Sequence, residues 1–118
     1  MTSLANSFVI LTLVLVIHLI EEVRTNFRTR MLLGEMPKFL FVGINILIYT
    51  YAVVMITLAF GDYPVAVTMA WIFSIAMLLN NVGHIGIIVI RKAYFPGGVT
   101  AFLLIPATIN TIRLLTVI

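Results

Sequence analysis

The chain has 118 residues, of which 63% are hydrophobic and only 9% are charged, and its formal net charge is +3. A soluble domain carries about a quarter charged residues, so this composition excludes a water-soluble fold and a disordered chain. The sequence has no cysteine, which excludes a disulfide framework, a thiolate metal site, an iron–sulfur cluster and a cysteine nucleophile. The class that fits is a small integral membrane protein.

Four long apolar stretches follow one another along the chain, and we expect each to cross the bilayer as a helix. A spanning helix needs about 20 apolar residues, so a chain of this length has room for at most about five. The runs are continuous, whereas barrel strands alternate polar and apolar residues, so an all-α four-helix bundle is predicted. The predicted spans, which form one domain over 1–118, are 4–22, 39–60, 64–90 and 98–118.

The first stretch has neither a basic start nor a small-residue cleavage site after it, which argues against a cleaved signal peptide. Basic side chains predict the orientation of the spans, since six of the seven lysines and arginines lie in the first and third breaks. These six are Arg24, Arg28, Arg30, Lys38, Arg91 and Lys92. The second break carries only Asp62.

Positively charged loops stay in the cytoplasm, so both basic loops are predicted there and both termini outside. The expected location is the cell membrane, as a multi-pass protein. No basic stripe exists beyond these loops, so the positive charge predicts contact with lipid head groups and no nucleic-acid partner.

Ionisable side chains inside a membrane span are unfavourable and mark a functional site by default. The first span ends with His18-Leu19-Ile20-Glu21-Glu22, and the third carries Asn80-Asn81-Val82-Gly83-His84. Positions three and four apart share a helix face. The two glutamates are therefore expected beside His18, and the two asparagines are expected on the face of His84.

These side chains are also predicted to lie at one depth. His18 precedes Arg24 by six residues and His84 precedes Arg91 by seven. At 1.5 Å per residue, both imidazoles lie about 10 Å inward from the basic loops. Asn45, seven residues after Lys38, reaches a similar level. The layer comprises His18, Glu21, Glu22, Asn45, Asn80, Asn81 and His84.

Two imidazoles and one carboxylate form the ligand set of zinc hydrolases and of open non-haem iron sites. His18, Glu22 and His84 are the predicted ligands of a divalent metal, zinc or iron. Glu21 is the predicted general base, and the asparagines of the third span would orient a ligand or stabilise an oxyanion. The same residues also allow two metals that share both carboxylates, or a metal-free hydrogen-bonded network that holds the helices together.

The start of the fourth span adds a second polar segment on the same side of the bundle. Tyr94-Phe95-Pro96-Gly97-Gly98-Val99-Thr100 combines a tight turn with a threonine that can cap the helix. Helix N-termini attract anions, so this segment either holds a substrate carboxylate or phosphate or simply ends the loop. Asn45, Tyr94 and Thr100 are the predicted substrate contacts.

Together these motifs resemble the HXXEE-domain family of small membrane proteins. That family has a His-x-x-Glu-Glu at the end of the first span, a later histidine and a Tyr-x-Pro-Gly-x-x-Thr segment. The corresponding residues here are His18-x-x-Glu21-Glu22, His84 and Tyr94-x-Pro96-Gly97-x-x-Thr100. The resemblance implies a shared polar site and no particular reaction.

The leading hypothesis is a metal-dependent membrane hydrolase acting on a lipid-like or amphipathic substrate from the cytoplasmic leaflet. A haem bundle would use His18 and His84 as axial ligands, although two adjacent carboxylates suit a haem pocket poorly. A proton- or cation-coupled transporter, similar to small multidrug resistance proteins, would use an intramembrane glutamate. A non-catalytic assembly subunit would use the polar layer only to fix helix register. So small a bundle encloses little volume, which leaves a homodimer or a larger partner open.

Overall fold

The computed structural model describes residues 1–29 and 34–118, in which four α-helices are joined by short connections. The helices are α1 (Thr2–Arg24), α2 (Lys38–Phe60), α3 (Val65–Arg91) and α4 (Gly98–Thr116), and a 3-10 turn covers Phe27–Thr29. All four are long and apolar enough to cross a membrane, and these residues include no strand. The predicted all-α architecture is confirmed, and each helix begins and ends within two residues of its expected bounds.

The helices pack in a ring in the order α1, α2, α3, α4, with the extensive contacts between neighbours in that ring. The packing of α4 against α1 and α3 is the most extensive, and Phe8 of α1 meets Phe73 of α3 in the core, with ring centroids 6.3 Å apart. In contrast, α2 is buried only at Ala52, Met55 and Ala59. The site described below therefore forms among α1, α3 and α4, with α2 at the periphery.

Large apolar side chains cover the outer faces of the bundle. Leu47 on α2 exposes 71% of its surface and Leu79 on α3 exposes 69%. Water disfavours an apolar surface of this extent, whereas the acyl chains of a bilayer do not. The exposed surface and the length of the helices together describe a multi-pass membrane protein.

The antiparallel order of the helices gives the bundle two unlike ends. The basic end holds residues 25–29, 34–37 and 92–97, together with the ends of α1 and α3 and the starts of α2 and α4. The opposite end holds both termini and the turn Gly61-Asp62-Tyr63-Pro64. The side of the membrane that each end faces stays a prediction, and Arg30, one of the six basic residues on which it depends, lies outside the described residues.

Candidate metal centre

Three potential ligand atoms from two helices meet at the basic end. His18 and Glu22 lie one turn apart on α1 and His84 lies on α3, and one ligand atom from each falls within 4.8 Å of the others. His18 Nε2 is 2.8 Å from Glu22 Oε1. The two imidazole rings meet edge to face, with centroids 4.8 Å apart. Both histidines are buried, and the Glu22 side chain is 12% exposed.

This spacing suits a single divalent ion. Metal–ligand bonds of about 2.0–2.2 Å place neighbouring ligand atoms of a tetrahedral site about 3.3 Å apart, within reach of small side-chain rotations here. Three protein ligands leave a position for water or substrate, which is typical of catalytic sites, and the same set suits iron as well as zinc. The edge-to-face contact of the imidazoles leaves no slot for a porphyrin plane between them, so the rings do not fit the bis-histidine haem alternative.

Two imidazole nitrogens at this point are buried without a hydrogen bond of good geometry. They are His18 Nε2 and His84 Nδ1, within the residues that the structure describes, although the Pro96 backbone interacts with the His84 imidazole. Although His18 Nε2 is close to Glu22, the pair does not have hydrogen-bond geometry. A buried nitrogen without a partner is rare in proteins, because its lost hydration is not compensated. A metal ion bound by His18 Nε2, Glu22 and one nitrogen of His84 would compensate the buried ligand atoms.

Thr100, at the start of α4, determines which nitrogen of His18 carries the proton. The Thr100 hydroxyl donates to Glu21 Oε1 at 2.6 Å and lies 2.7 Å from His18 Nδ1. A hydroxyl has one proton to donate and an ionised carboxylate has none, so the hydrogen of the His18–Thr100 bond belongs to Nδ1. His18 Nε2 then keeps its lone pair, which is the form that binds metal.

Glu21 contacts the start of α4 and does not face the histidine nitrogens. Its carboxylate accepts hydrogen bonds from the backbone N–H of Thr100 at 2.8 Å and of Val99 at 3.3 Å, and also from the Tyr94 hydroxyl. The unpaired N–H groups and the dipole of a helix start attract an anion. The helix N-terminus that the sequence offers to a substrate anion is thus occupied by the chain's own carboxylate.

These contacts involve three of the predicted site residues, Glu21, Tyr94 and Thr100. Burial, and then the hydrogen bond to the Glu21 carboxylate, raise the pKa of the Tyr94 phenol above its ordinary value. Tyr94 and Thr100 both contact Glu21, so the groups predicted to bind substrate are engaged within the protein. The general-base role of Glu21 and the substrate roles of Tyr94 and Thr100 stay predictions, and these contacts do not favour them.

Aromatic rings and one glycine enclose the histidines on the side of the connections. The ring centroids of Phe27 and Phe95 lie 5.6 and 5.5 Å from that of His84. A Cβ at Gly97 would lie 2.5 Å from His84 Cε1 and 2.8 Å from His18 Cε1, and the φ of Gly97 is +88°. Only glycine fits this close approach and this backbone angle. The sequence analysis predicted a turn at Gly97 and missed its contact with both imidazoles, as it missed the two phenylalanines.

The three predicted asparagines have separate environments. Asn81 is fully buried, and neither its Oδ1 nor its Nδ2 has a partner in the part of the chain that the structure describes. Asn80 is exposed, because neighbouring positions on a helix point about 100° apart and the interior lies on the side of Asn81. Asn45 on α2 donates to the Phe41 carbonyl at 2.8 Å. The expected layer therefore lacks Asn80, and nothing in this placement supports its proposed role in orienting a ligand.

The match to a known family covers nearly the whole of this arrangement. Residues 9–111 match the sequence profile of a family described as a protein of unknown function with HXXEE motif. The chain belongs to the HXXEE family. The matched range contains both histidines, both glutamates and the Thr100 segment, so the resemblance identified from the motifs is confirmed. No protein of curated function and no solved structure matches the chain.

The histidine and the two glutamates of the HXXEE motif have distinct environments. Its histidine and its second glutamate, His18 and Glu22, supply two of the three clustered ligand atoms. Its first glutamate, Glu21, accepts four hydrogen bonds from α4 and the connection before it. Two adjacent carboxylates of this HXXEE protein thus face different partners, one the ligand cluster and the other the start of a helix.

Proposed function

We propose that this HXXEE protein is a metal-dependent membrane hydrolase with one divalent ion, zinc or iron, bound by His18, Glu22 and His84. The observation that carries the proposal is the cluster of His18, Glu22 and His84, in which one ligand atom from each residue lies within 4.8 Å of the others and both imidazoles are buried. Two nitrogens and one oxygen with an open position form the ligand set of catalytic metal sites. When bound, such an ion supplies Lewis acidity and an activated water.

The other residues of the site keep the ligands in their binding form. Thr100 holds the proton on His18 Nδ1, and Glu21 holds the Thr100 hydroxyl. Because the Glu21 carboxylate is engaged with α4, we infer that it positions Thr100 and does not take a proton from the substrate. Phe27, Phe95 and Gly97 cover the imidazoles on the side of the connections, and exclusion of water there strengthens electrostatic interactions.

Metal analysis tests the centre directly. Protein purified in mild detergent is expected to contain about one equivalent of zinc or iron by mass spectrometry. His18→Ala and His84→Ala should each abolish the bound metal, whereas Asn80→Ala, an exposed position one turn from His84, should retain it. Absence of metal from the wild-type protein, or its retention in both histidine variants, would contradict the proposed centre.

The reaction needs its own test. Release of fatty acid or phosphate from a lysophospholipid should be measured with metal-loaded protein and with chelator-treated protein. The proposal expects turnover that depends on the metal and is lost in His84→Ala. Turnover at equal rates in loaded, chelated and variant protein would contradict a metal-dependent hydrolase.

A second candidate function is proton- or cation-coupled transport, which one further observation favours. Thr12, Ser74, Asn81 and Thr108 also carry buried polar atoms that have no hydrogen bond within the described residues. They lie on α1, α3 and α4, the helices that meet at the ligand cluster. Buried polar groups inside transport proteins are commonly satisfied by water. Acid-dependent uptake into vesicles that Glu22→Gln abolishes would favour this function over the hydrolase.

A further inference from the structure

A cleft lies beside the candidate metal centre, between the end of α1 and the start of α2. Its volume is about 340 Å³, and its charged lining groups are Glu22, Arg28 and Lys38. Phe27 and Phe41 contribute to its apolar wall. Because Glu22 belongs both to this cleft and to the ligand cluster, a molecule bound in the cleft lies next to the candidate metal centre.

A second space, a groove along α1 and α2, continues from this cleft. It also has a volume of about 340 Å³, and it shares Val23, Phe41 and Val42 with the cleft. From Val42 the groove extends along α2 to Tyr49, about 10 Å at the helical rise. Tyr49 donates to the Leu15 carbonyl at 2.8 Å, which joins α2 to α1 at that level. The cleft has charged lining residues, and the groove beside it is apolar.

The charges of the cleft favour an anion. Lys38 has no ion-pair partner within residues 1–29 and 34–118. Arg28 Nη1 is 3.2 Å from Glu35 Oε1, in a pair whose side chains are 34% and 65% exposed, and exposed pairs of this kind are weak. An arginine has five donors, so Arg28 can bind a phosphate as well. Among the described lining residues, Glu22 is the one acidic group, so the two cations outnumber it even when no metal is bound.

We propose that the cleft and groove bind an anionic single-chain phospholipid, with its phosphate between Arg28 and Lys38 and its acyl chain in the groove. The inference rests on the proposed function, for which it names the substrate class. A single chain matches the groove, because the groove lies between two helices and shares three lining residues with the cleft. The phosphate is recognised by two cations and the chain by apolar side chains, so both parts contribute to binding.

Binding should be measured by native mass spectrometry on the whole chain in a nonionic detergent, after treatment with a chelator. The probes are lysophosphatidic acid, lysophosphatidylcholine with the same chain, and inorganic phosphate. We expect the anionic lysolipid to bind about tenfold more tightly than the zwitterionic one, and inorganic phosphate not to bind measurably. Equal affinity for the two lysolipids would overturn the proposal.

Variants separate the two parts of the site. Arg28→Gln with Lys38→Gln should remove the preference for the anionic lysolipid, whereas Lys92→Gln, a basic residue at the same end outside the cleft, should keep it. Ile46→Trp, which fills the groove at an exposed position, should weaken the binding of both lysolipids about equally. An unchanged preference in the double variant, or unchanged binding in Ile46→Trp protein that unfolds at the wild-type temperature, would overturn the proposal.

The chelated protein keeps this test apart from that of the proposed function. If wild-type protein holds no metal yet binds the anionic lysolipid selectively, the hydrolase proposal fails and the lipid site stands. If the protein binds metal and hydrolyses a substrate but shows no preference for the anionic lysolipid, the lipid site fails alone.

Discussion

Both ends of the bundle bury polar side chains between α1 and α4, but the two networks end differently. At the opposite end, the Ser7 hydroxyl bonds to that of Thr111, which donates to the Ala107 carbonyl. At the basic end, Thr100 also joins α1 to α4, yet its bond to His18 leads to a cluster of possible metal ligands, in which His18 Nε2 lies 2.8 Å from Glu22 Oε1. Buried polar contact alone therefore does not identify a binding site. What distinguishes the basic end is that two imidazoles and a carboxylate meet there in a group that could hold a metal ion.

The largest effect should come from changing one of two adjacent carboxylates. Glu22→Gln replaces an anionic ligand with a neutral amide, so we expect metal affinity to fall by more than about 100-fold. Glu21→Gln is the matched control for the same chemical change, and it should lower affinity by about tenfold, because it acts through Thr100. Competition with a fluorescent chelator measures both. Equal losses in the two variants would show that the neighbouring glutamates do not have separate roles.

Gly97→Ala should produce the next largest effect. The added Cβ would lie 2.5 Å from His84 Cε1, and alanine disfavours the φ of +88°. We expect metal affinity to fall by about 10- to 100-fold as the imidazoles are displaced. In Gly86→Ala the new methyl group meets no atom within 4 Å, so affinity should stay at the wild-type value. An unchanged affinity in Gly97→Ala would show that the connection does not hold the ligands in place.

A pair of threonine variants compares the two networks directly. Thr100→Val removes the acceptor of the His18 Nδ1 proton, so metal affinity should fall about tenfold. Thr111→Val breaks the bond to Ser7 at the opposite end and should reduce stability by about 1 kcal/mol without changing metal affinity. Metal titration and thermal unfolding of both variants provide the comparison. A loss of metal affinity in Thr111→Val would mean that the two ends are coupled.

The smallest effect concerns alkaline pH at the connection before α4. The Tyr94 pKa is raised in the folded protein, so the fold favours the neutral phenol. This contribution is present below the pKa of the unfolded phenol, about 10, and is lost as pH rises through the higher folded value. Unfolding temperatures between pH 8 and 11 should fall less steeply in Tyr94→Phe than in wild type. Tyr63→Phe, which removes a phenol at the opposite end, is the control and should keep the wild-type slope.

The helices and the proximity of His18, Glu22 and His84 could be predicted because their signals are local or periodic. Continuous apolar runs of this length form helices in lipid whatever their neighbours are. His18 and Glu22 share a face because they are one turn apart. His84 could be matched to them by counting residues from the basic ends of two helices, a rule that holds because both helices cross the same hydrophobic layer.

The partners of individual side chains could not be predicted, since they depend on where α4 lies. Glu21 and Glu22 are adjacent residues of the same type at the end of α1. Glu21 accepts hydrogen bonds from the start of α4, and this contact depends on where α4 lies. Asn80 and Asn81 differ only in which of them faces the interior. Phe27 and Gly97 carry no chemical signal of a site, because neither has a polar side chain and both approach His84 through folded connections.

The hydrogen bond between His18 and Thr100 has a consequence for the order in which the protein matures. Thr100 lies on α4, which follows the other three helices in the chain, so this bond forms only after α4 has joined α1. Until then, nothing in the His18–Thr100–Glu21 set fixes the proton on Nδ1, and the imidazole samples both tautomers in the growing chain. If the centre binds metal as proposed, a partly inserted bundle competes poorly for metal ions, and loading of the centre is expected to be a late step of biogenesis.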